Sequence, residues 1–396
     1  MPPASPPSPW LRLTAIGASA ATLLAVVSGA ASLGAAHELI SALALPPLAA
    51  IAVAAWLGHR QLLAPALVSI ALFGAAALIT IPGLHLAAAA VAFASTPVLT
   101  ALVHRGETGP LGSLRDYVTL TKPRIMTLLL LTGICGMFVG AGGVPPLGDL
   151  AALTVGLALA CGGASALNHV LDRDIDSLMG ERTRARPVTS GRIPASYALE
   201  FGLALSALSF VLLAGLVNVL TAALALVGNL FYVLVYTRWL KRTTPQNIVI
   251  GGAAGAVPPL VGWAAATGNL TVPALFLFVI VFFWTPPHFW ALALLIKRNY
   301  ADAGIPMLPV VRGERETVKQ IVLYSVILVG VTVVPFLWGT LGLVYLVAAL
   351  ALGAGFIWLA VQLARRTTPK RASLLFHSSL LYLALLFIAA AVDPIV

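Results

Sequence analysis

The chain has 396 residues, of which 60% are hydrophobic and only 9% are Asp, Glu, Lys or Arg. Apolar segments of about twenty residues recur almost without polar faces, which excludes one large soluble core and predicts an all-α, polytopic membrane protein. The formal net charge of +10 does not call for nucleic acid, because no basic run is interleaved with aromatic residues, and membrane topology accounts for the charge.

In chain order, four spans are predicted first, at 13–34, 38–58, 62–82 and 84–104. Pro46 and Pro47 would break or kink the second of them. The first has Pro-rich flanks like those of a signal peptide, but its apolar stretch is too long, so it reads as a retained span. Residues 105–113, Arg105 to Ser113, have the turn-rich composition of a linker. Nine more spans follow at 125–144, 151–169, 196–216, 219–237, 248–266, 272–292, 321–341, 343–363 and 374–392. The predicted organisation is a four-span bundle over 1–104, the linker, and a nine-span unit over 114–396 that gathers the polar residues.

With these spans, all 23 Lys and Arg residues fall on one side of the membrane. The positive-inside rule makes that side cytoplasmic, with the amino terminus inside and the protein in the cell membrane. Cys135 and Cys161 lie within predicted spans and read as small apolar fillers.

Three loops on the basic side carry the chemistry. The first begins Asn168-His-Val-Leu-Asp172-Arg-Asp174-Ile-Asp176 and continues through Arg182, Arg184 and Arg186. On a helix, positions 168, 172 and 176 step by about 40° each, so three oxygen-bearing side chains share one face. Hard oxygen ligands of this kind suit Mg²⁺, which takes few carboxylates plus substrate phosphates, and the arginines suit phosphate oxygens. Together they point to a diphosphate ester as substrate. A plainer reading, in which the acids merely pair with the arginines of a topogenic loop, leaves the shared helix face unexplained. The second loop, 238–247, leads into Gly251, Gly252 and Gly255, where small residues allow either close helix packing or close approach of a bulky ligand. The third follows Pro287-His288-Phe289-Trp290 and reads Lys297-Arg298-Asn299-Tyr300-Ala-Asp302.

At these residues the chain resembles the UbiA superfamily of intramembrane prenyltransferases, and within it the branch that farnesylates protohaem IX. The resemblance spans about 114–392 and rests on Thr121-Lys-Pro-Arg124, Asn168 to Asp176 with Arg184 to Pro187, Leu240 to Asn247, Gly255 to Trp263, Pro287 to Trp290 and Ala303 to Pro309. It implies a nine-helix bundle that transfers farnesyl from farnesyl diphosphate to a vinyl group of haem B, giving haem O for haem-copper oxidase biogenesis. It also implies Mg²⁺ on Asn168, Asp172 and Asp176, with Asp172, Asp176, Lys297 and Asp302 in catalysis. Arg184, Arg186 and Arg298 would meet the diphosphate, with Asn299 beside them. Trp263, Phe289 and Trp290 would face the allylic cation, and His288 would touch haem or order its loop. One departure is Asn299, where the family usually has Asp, which leaves Asp302 or the neutral amide to serve. Residues 1–104 also resemble one half of a haem A synthase, with His37 and His85 at one end of the bundle as haem ligands. Two interfacial histidines at helix starts is the simpler reading of that pair. Haem A synthase or the oxidase assembly would be the natural protein partner. A transporter is disfavoured because the acids cluster at one interface, and a quinone-type acceptor is disfavoured by the third-loop runs.

Overall fold

The computed structural model describes residues 9–30, 35–57, 63–78, single positions between 89 and 103, and 112–396. Among these residues there is no strand, and the long helices are α1 (Pro9–Ala30), α2 (Ala35–Leu57), α3 (Leu63–Leu78), α4 (Pro123–Ala141), α5 (Leu147–Leu171), α6 (Ala195–Leu216), α7 (Val219–Thr243), α8 (Asn247–Thr267), α9 (Val272–Leu295), α10 (Gly313–Leu337), α11 (Leu343–Arg365) and α12 (Pro369–Val392). Nine of them, α4 to α12, are long and apolar enough to cross a membrane, which makes this a multi-pass membrane protein. The three amino-terminal helices overlap the stretches where the first three spans are predicted. The fourth predicted span and His85 lie outside the described residues.

Hydropathy places spans better than helix ends. The span expected at 321–341 is the helix Gly313–Leu337. Its first turns carry Glu314 and Glu316, which favour a helix amino terminus but look nothing like a membrane segment. Pro46 and Pro47 do not break the second helix, which runs continuously through both. Pro258-Pro259 and Pro286-Pro287 sit inside α8 and α9 in the same way. In a membrane bundle, neighbouring helices and local backbone adjustment accommodate the freed carbonyls.

Small residues hold the centre of the nine-helix unit. A Cβ built on Gly262 of α8 would lie 1.8 Å from the Gly133 carbonyl oxygen of α4, so the two backbones touch where a side chain could not fit. Gly136 meets Pro259 and Gly140 meets Trp263, giving α4 and α8 a parallel register along this seam. Of the second-loop glycines, Gly251 packs on Tyr236 and Gly252 on Thr285, whereas Gly255 faces open space. Packing therefore explains the first two. Cys135 and Cys161 are free thiols.

Between Phe231 and Leu240, α7 winds as a π-helix before resuming α geometry at Lys241. This wider turn precedes the two basic residues that enter the site described next.

Candidate active site

Asn168 lies in the last turn of α5, whose carboxyl cap is Asp172, and a short helix Arg173–Asp176 continues from it. The helix is interrupted at Asp172 (φ −92°, ψ 3°), yet the Asp172 amide bonds Asn168 O at 2.9 Å and the Asp176 amide bonds Asp172 O at 2.8 Å. The four-residue spacing thus survives the break, and the three side chains stay together. They are 3%, 1% and 0% exposed, although all lie at the bundle's basic end.

Buried carboxylates need partners, and this site gathers them from distant segments. Asn168 Nδ2 donates to Asp172 Oδ2 at 2.9 Å and to Thr237 Oγ1 at 3.1 Å. Lys241 Nζ donates to the same Asp172 oxygen at 2.6 Å, and Lys122 Nζ donates to Asn168 Oδ1 at 2.7 Å. Arg186 Nη1 reaches both Asp176 oxygens, at 2.7 and 2.6 Å. Arg242 makes a forked pair with Asp174 at 2.7 and 2.8 Å and also bonds the Leu171 carbonyl. Asp172 Oδ1 is buried with no hydrogen-bond partner among the described residues, and Arg242 Nη2 stands 3.9 Å from it.

Lys122 is the only non-glycine described residue at positive φ (50°). A lysine in this left-handed conformation directly before Pro123 is locally unfavourable, and here its ammonium reaches Asn168 across the fold. Burial, with Arg186 adding repulsion, pushes that ammonium down to about 7. Burial likewise raises the Asp176 carboxyl, while the Arg186 guanidinium pulls the other way. Hydrogen bonds from Arg242 hold Asp174 down at about 2.

Lys122, Lys241, Arg242 and Thr237 had not been expected at the site. Two more groups had also been missed. His169, next to Asn168, is 2% exposed and Asn247 is fully buried, and among the described residues neither the ring nitrogens of the one nor the amide atoms of the other have a hydrogen-bond partner. The α4–α8 register, extended towards the basic end, puts Asn247 level with Lys122. The sequence signal for the missed cations was present in the Thr121-Lys-Pro-Arg124 and Leu240-Lys-Arg runs, but their partners were not legible.

The third loop is placed differently. Asn299 Nδ2 donates to the Met179 carbonyl of the first loop, and a Cβ at Gly180 (φ 104°) would lie 2.7 Å from that nitrogen. Lys297 pairs with Glu314 at 3.2 Å, and Arg298 and Asp302 are exposed. Arg184 is exposed and bonds the Ser177 carbonyl at 2.8 Å. A cleft of about 220 Å³ between Asp174, Arg242, Gly304 and Ile305 joins all three loops.

The aromatic candidates separate by depth. His288 is stacked between Trp284 and Phe376, with Nδ1 2.6 Å from Ser379 Oγ, a position that orders α9 against α12. Phe289 lies edge-on to His288, and buried Trp290 packs edge-on against Tyr324. This group sits within about two turns of the basic end of α9. Trp263, sixteen residues along α8 from Asn247, is about 24 Å away at the opposite end. It is therefore not grouped with Phe289 and Trp290, because helix rise separates positions that shared composition had associated. His37 Nδ1 contacts the Ala25 carbonyl at 3.0 Å.

No three His, Cys, Asp or Glu side chains among the described residues form a ready metal cage. The face instead offers two carboxylates and one amide oxygen, with one carboxylate oxygen unbonded. That donor set fits a divalent cation which completes its shell with substrate phosphate.

Residues 129–388 match the model of the UbiA prenyltransferase family. The chain is 54% identical over 281 residues to the protoheme IX farnesyltransferase of Symbiobacterium thermophilum, covering 70% of this chain and 94% of the relative. It is 53% identical over 283 residues to the protoheme IX farnesyltransferase of Roseiflexus sp., covering 72% of this chain but about half (53%) of that longer relative. Among solved structures, a digeranylgeranylglyceryl phosphate synthase superposes with a TM-score of 0.60 at 19% identity, over 71% of this chain and 98% of that one. A UbiA homologue from Archaeoglobus fulgidus bound to DMAPP and Mg²⁺ superposes with a TM-score of 0.54 at 19% identity, over 70% of this chain and 99% of that one.

Proposed function

Because the chain belongs to the UbiA prenyltransferase family, we propose that it transfers a farnesyl group from farnesyl diphosphate to a vinyl group of haem B, forming haem O. The observation that carries this acceptor is the identity of about half the residues with the Symbiobacterium protoheme IX farnesyltransferase across nearly all of that relative's length. Asn168, Asp172 and Asp176 would hold Mg²⁺, which when bound supplies a Lewis acid for the charge that develops on the leaving diphosphate.

The chain's own residues do the rest. Arg186, Lys122, Lys241 and Arg242 concentrate positive charge where the diphosphate oxygens arrive, so the leaving group departs into a preorganised field. Phe289 and Trp290, deeper along α9, line an apolar environment for the allylic carbon and keep bulk water from it. Asn299 holds the third loop on the first, and Lys297 and Asp302 stand at the margin of the site. In the reaction, the C1–O bond of farnesyl diphosphate breaks and C1 bonds the terminal vinyl carbon. Water then adds its oxygen to the inner vinyl carbon, releasing a proton, so haem gains one farnesyl as a hydroxyethylfarnesyl chain and diphosphate leaves.

The basic loops face the cytoplasm of the cell membrane on this reading, where soluble farnesyl diphosphate is available. Haem A synthase or an assembling haem-copper oxidase would take the product. The deciding assay supplies purified protein with haem B, Mg²⁺ and farnesyl diphosphate, then weighs the extracted haem. A gain of one farnesyl group plus one hydroxyl supports the reading. An unchanged haem, with a quinone or aromatic precursor prenylated instead, sinks the acceptor assignment but keeps the family.

A further inference from the structure

Four of the five side-chain oxygens that would bind a divalent cation are already held by the protein's own cations. Lys122 Nζ is 2.7 Å from Asn168 Oδ1, Lys241 Nζ is 2.6 Å from Asp172 Oδ2, and Arg186 engages both Asp176 oxygens. Of these five oxygens, Asp172 Oδ1 alone lacks a hydrogen bond among the described residues. With the three acceptor side chains almost wholly buried, water screens these contacts poorly.

We propose that Lys241 and Arg186 are surrogate counter-ions, with Lys122 holding the neutral Asn168 oxygen, and that the three make metal binding conditional on a diphosphate, to which they transfer when metal and diphosphate bind together. The proposal rests on the reading that this face takes a metal–diphosphate pair. A divalent cation entering alone would bring more positive charge into contact with Lys241 and Arg186 and would strip them, and Lys122, of their acceptors. Leaving a buried charge without its partner is strongly unfavourable. A diphosphate entering with the metal reverses both effects, since it supplies negative charge and new acceptor oxygens.

The side chains are suited to such an exchange. Lysine is a point charge on a flexible stem, so a rotamer change carries it from a carboxylate to a nearby phosphate. Arg186 meets Asp176 through a single nitrogen, which leaves the other donors of its fork for a phosphate. Because coupling is reciprocal, the diphosphate should also bind poorly without metal. The leaving-group apparatus would then assemble only on substrate, and metal and diphosphate would leave as a unit after turnover.

The test uses the full chain in lipid nanodiscs and radioactive Mn²⁺ as the metal probe, with retention measured with and without inorganic pyrophosphate at matched free Mn²⁺. The expected result is at least about tenfold tighter Mn²⁺ retention with pyrophosphate. In Lys241→Met, Mn²⁺ alone should bind more tightly and the pyrophosphate effect should shrink, whereas Lys241→Arg should keep the wild-type pattern. Equal Mn²⁺ affinity with and without pyrophosphate in the wild-type chain overturns the proposal and leaves the prenyl-transfer reading standing. So does a folded Lys241→Met variant with unchanged metal-only affinity. Retention in neither condition overturns the metal face together with the proposal, and the haem product assay then decides separately whether the reaction survives.

Discussion

The first and third loops both carry acids and bases at the same end of the bundle, but only the first buries any of its acids, Asp172 and Asp176. In the first, Asn168, Asp172 and Asp176 are almost inaccessible; Lys122 and Lys241 from other segments hold the first two, and Arg186 of the same loop holds the third. In the third, Arg298 and Asp302 are exposed, Lys297 pairs with Glu314 on a neighbouring helix, and Asn299 supplies one hydrogen bond to the first loop. Similar residue types therefore do different work. Charges removed from water interact strongly and set chemistry, whereas solvated pairs contribute little.

The largest effect should come from Asp172→Ala, which removes a buried carboxylate and strands Lys241. Turnover measured as haem product should fall at least about a hundredfold, and the stability lost should approach about 3–5 kcal/mol. Asp172→Asn separates the two, retaining more of the fold in a thermal melt while still losing turnover. Full activity in either variant would remove the distinction between the loops.

Next is Arg186→Met. It unpairs Asp176 and removes a proposed phosphate partner, so steady-state kcat/KM for farnesyl diphosphate should fall by about a hundredfold. A change within about twofold would mean that Asp176 and Arg186 form a structural pair only.

Asn299→Asp gives the sharpest contrast with the family pattern. A carboxylate cannot donate to the Met179 carbonyl, so the clip between the loops should open and kcat/KM should fall by roughly fivefold, about 1 kcal/mol. Asn299→Asp raising Mg²⁺ affinity and activity instead would make this position a ligand, as the resemblance first implied, and would draw the third loop into the metal site. Gly180→Ala, which crowds the same nitrogen, should mimic the loss.

The smallest effects are expected at Lys297→Ala and Asp302→Ala, within about 0.5 kcal/mol in both stability and kcat/KM. A tenfold loss at either would show that the exposed margin closes over the substrate during turnover.

The amino-acid sequence by itself determined the membrane class, the positions of α4 to α12, the concentration of Lys and Arg at one end, and the acidic face. Each is a local property, read from apolar run length, charge placement or a four-residue helical step. Even the Asp172 break leaves that step intact, because two backbone hydrogen bonds bridge it. Only the tertiary structure decided which cations meet which acids. Lys122 lies 46 residues from Asn168, and Lys241 lies 69 residues from Asp172, so no periodicity links them. The same holds for the π-helical turn before Lys241, for Asn299 on Met179, and for the separation of Trp263 from Phe289 and Trp290. Packing sets these relations, through close seams such as Gly133 on Gly262. A buried charge must find its partner wherever the fold brings one near.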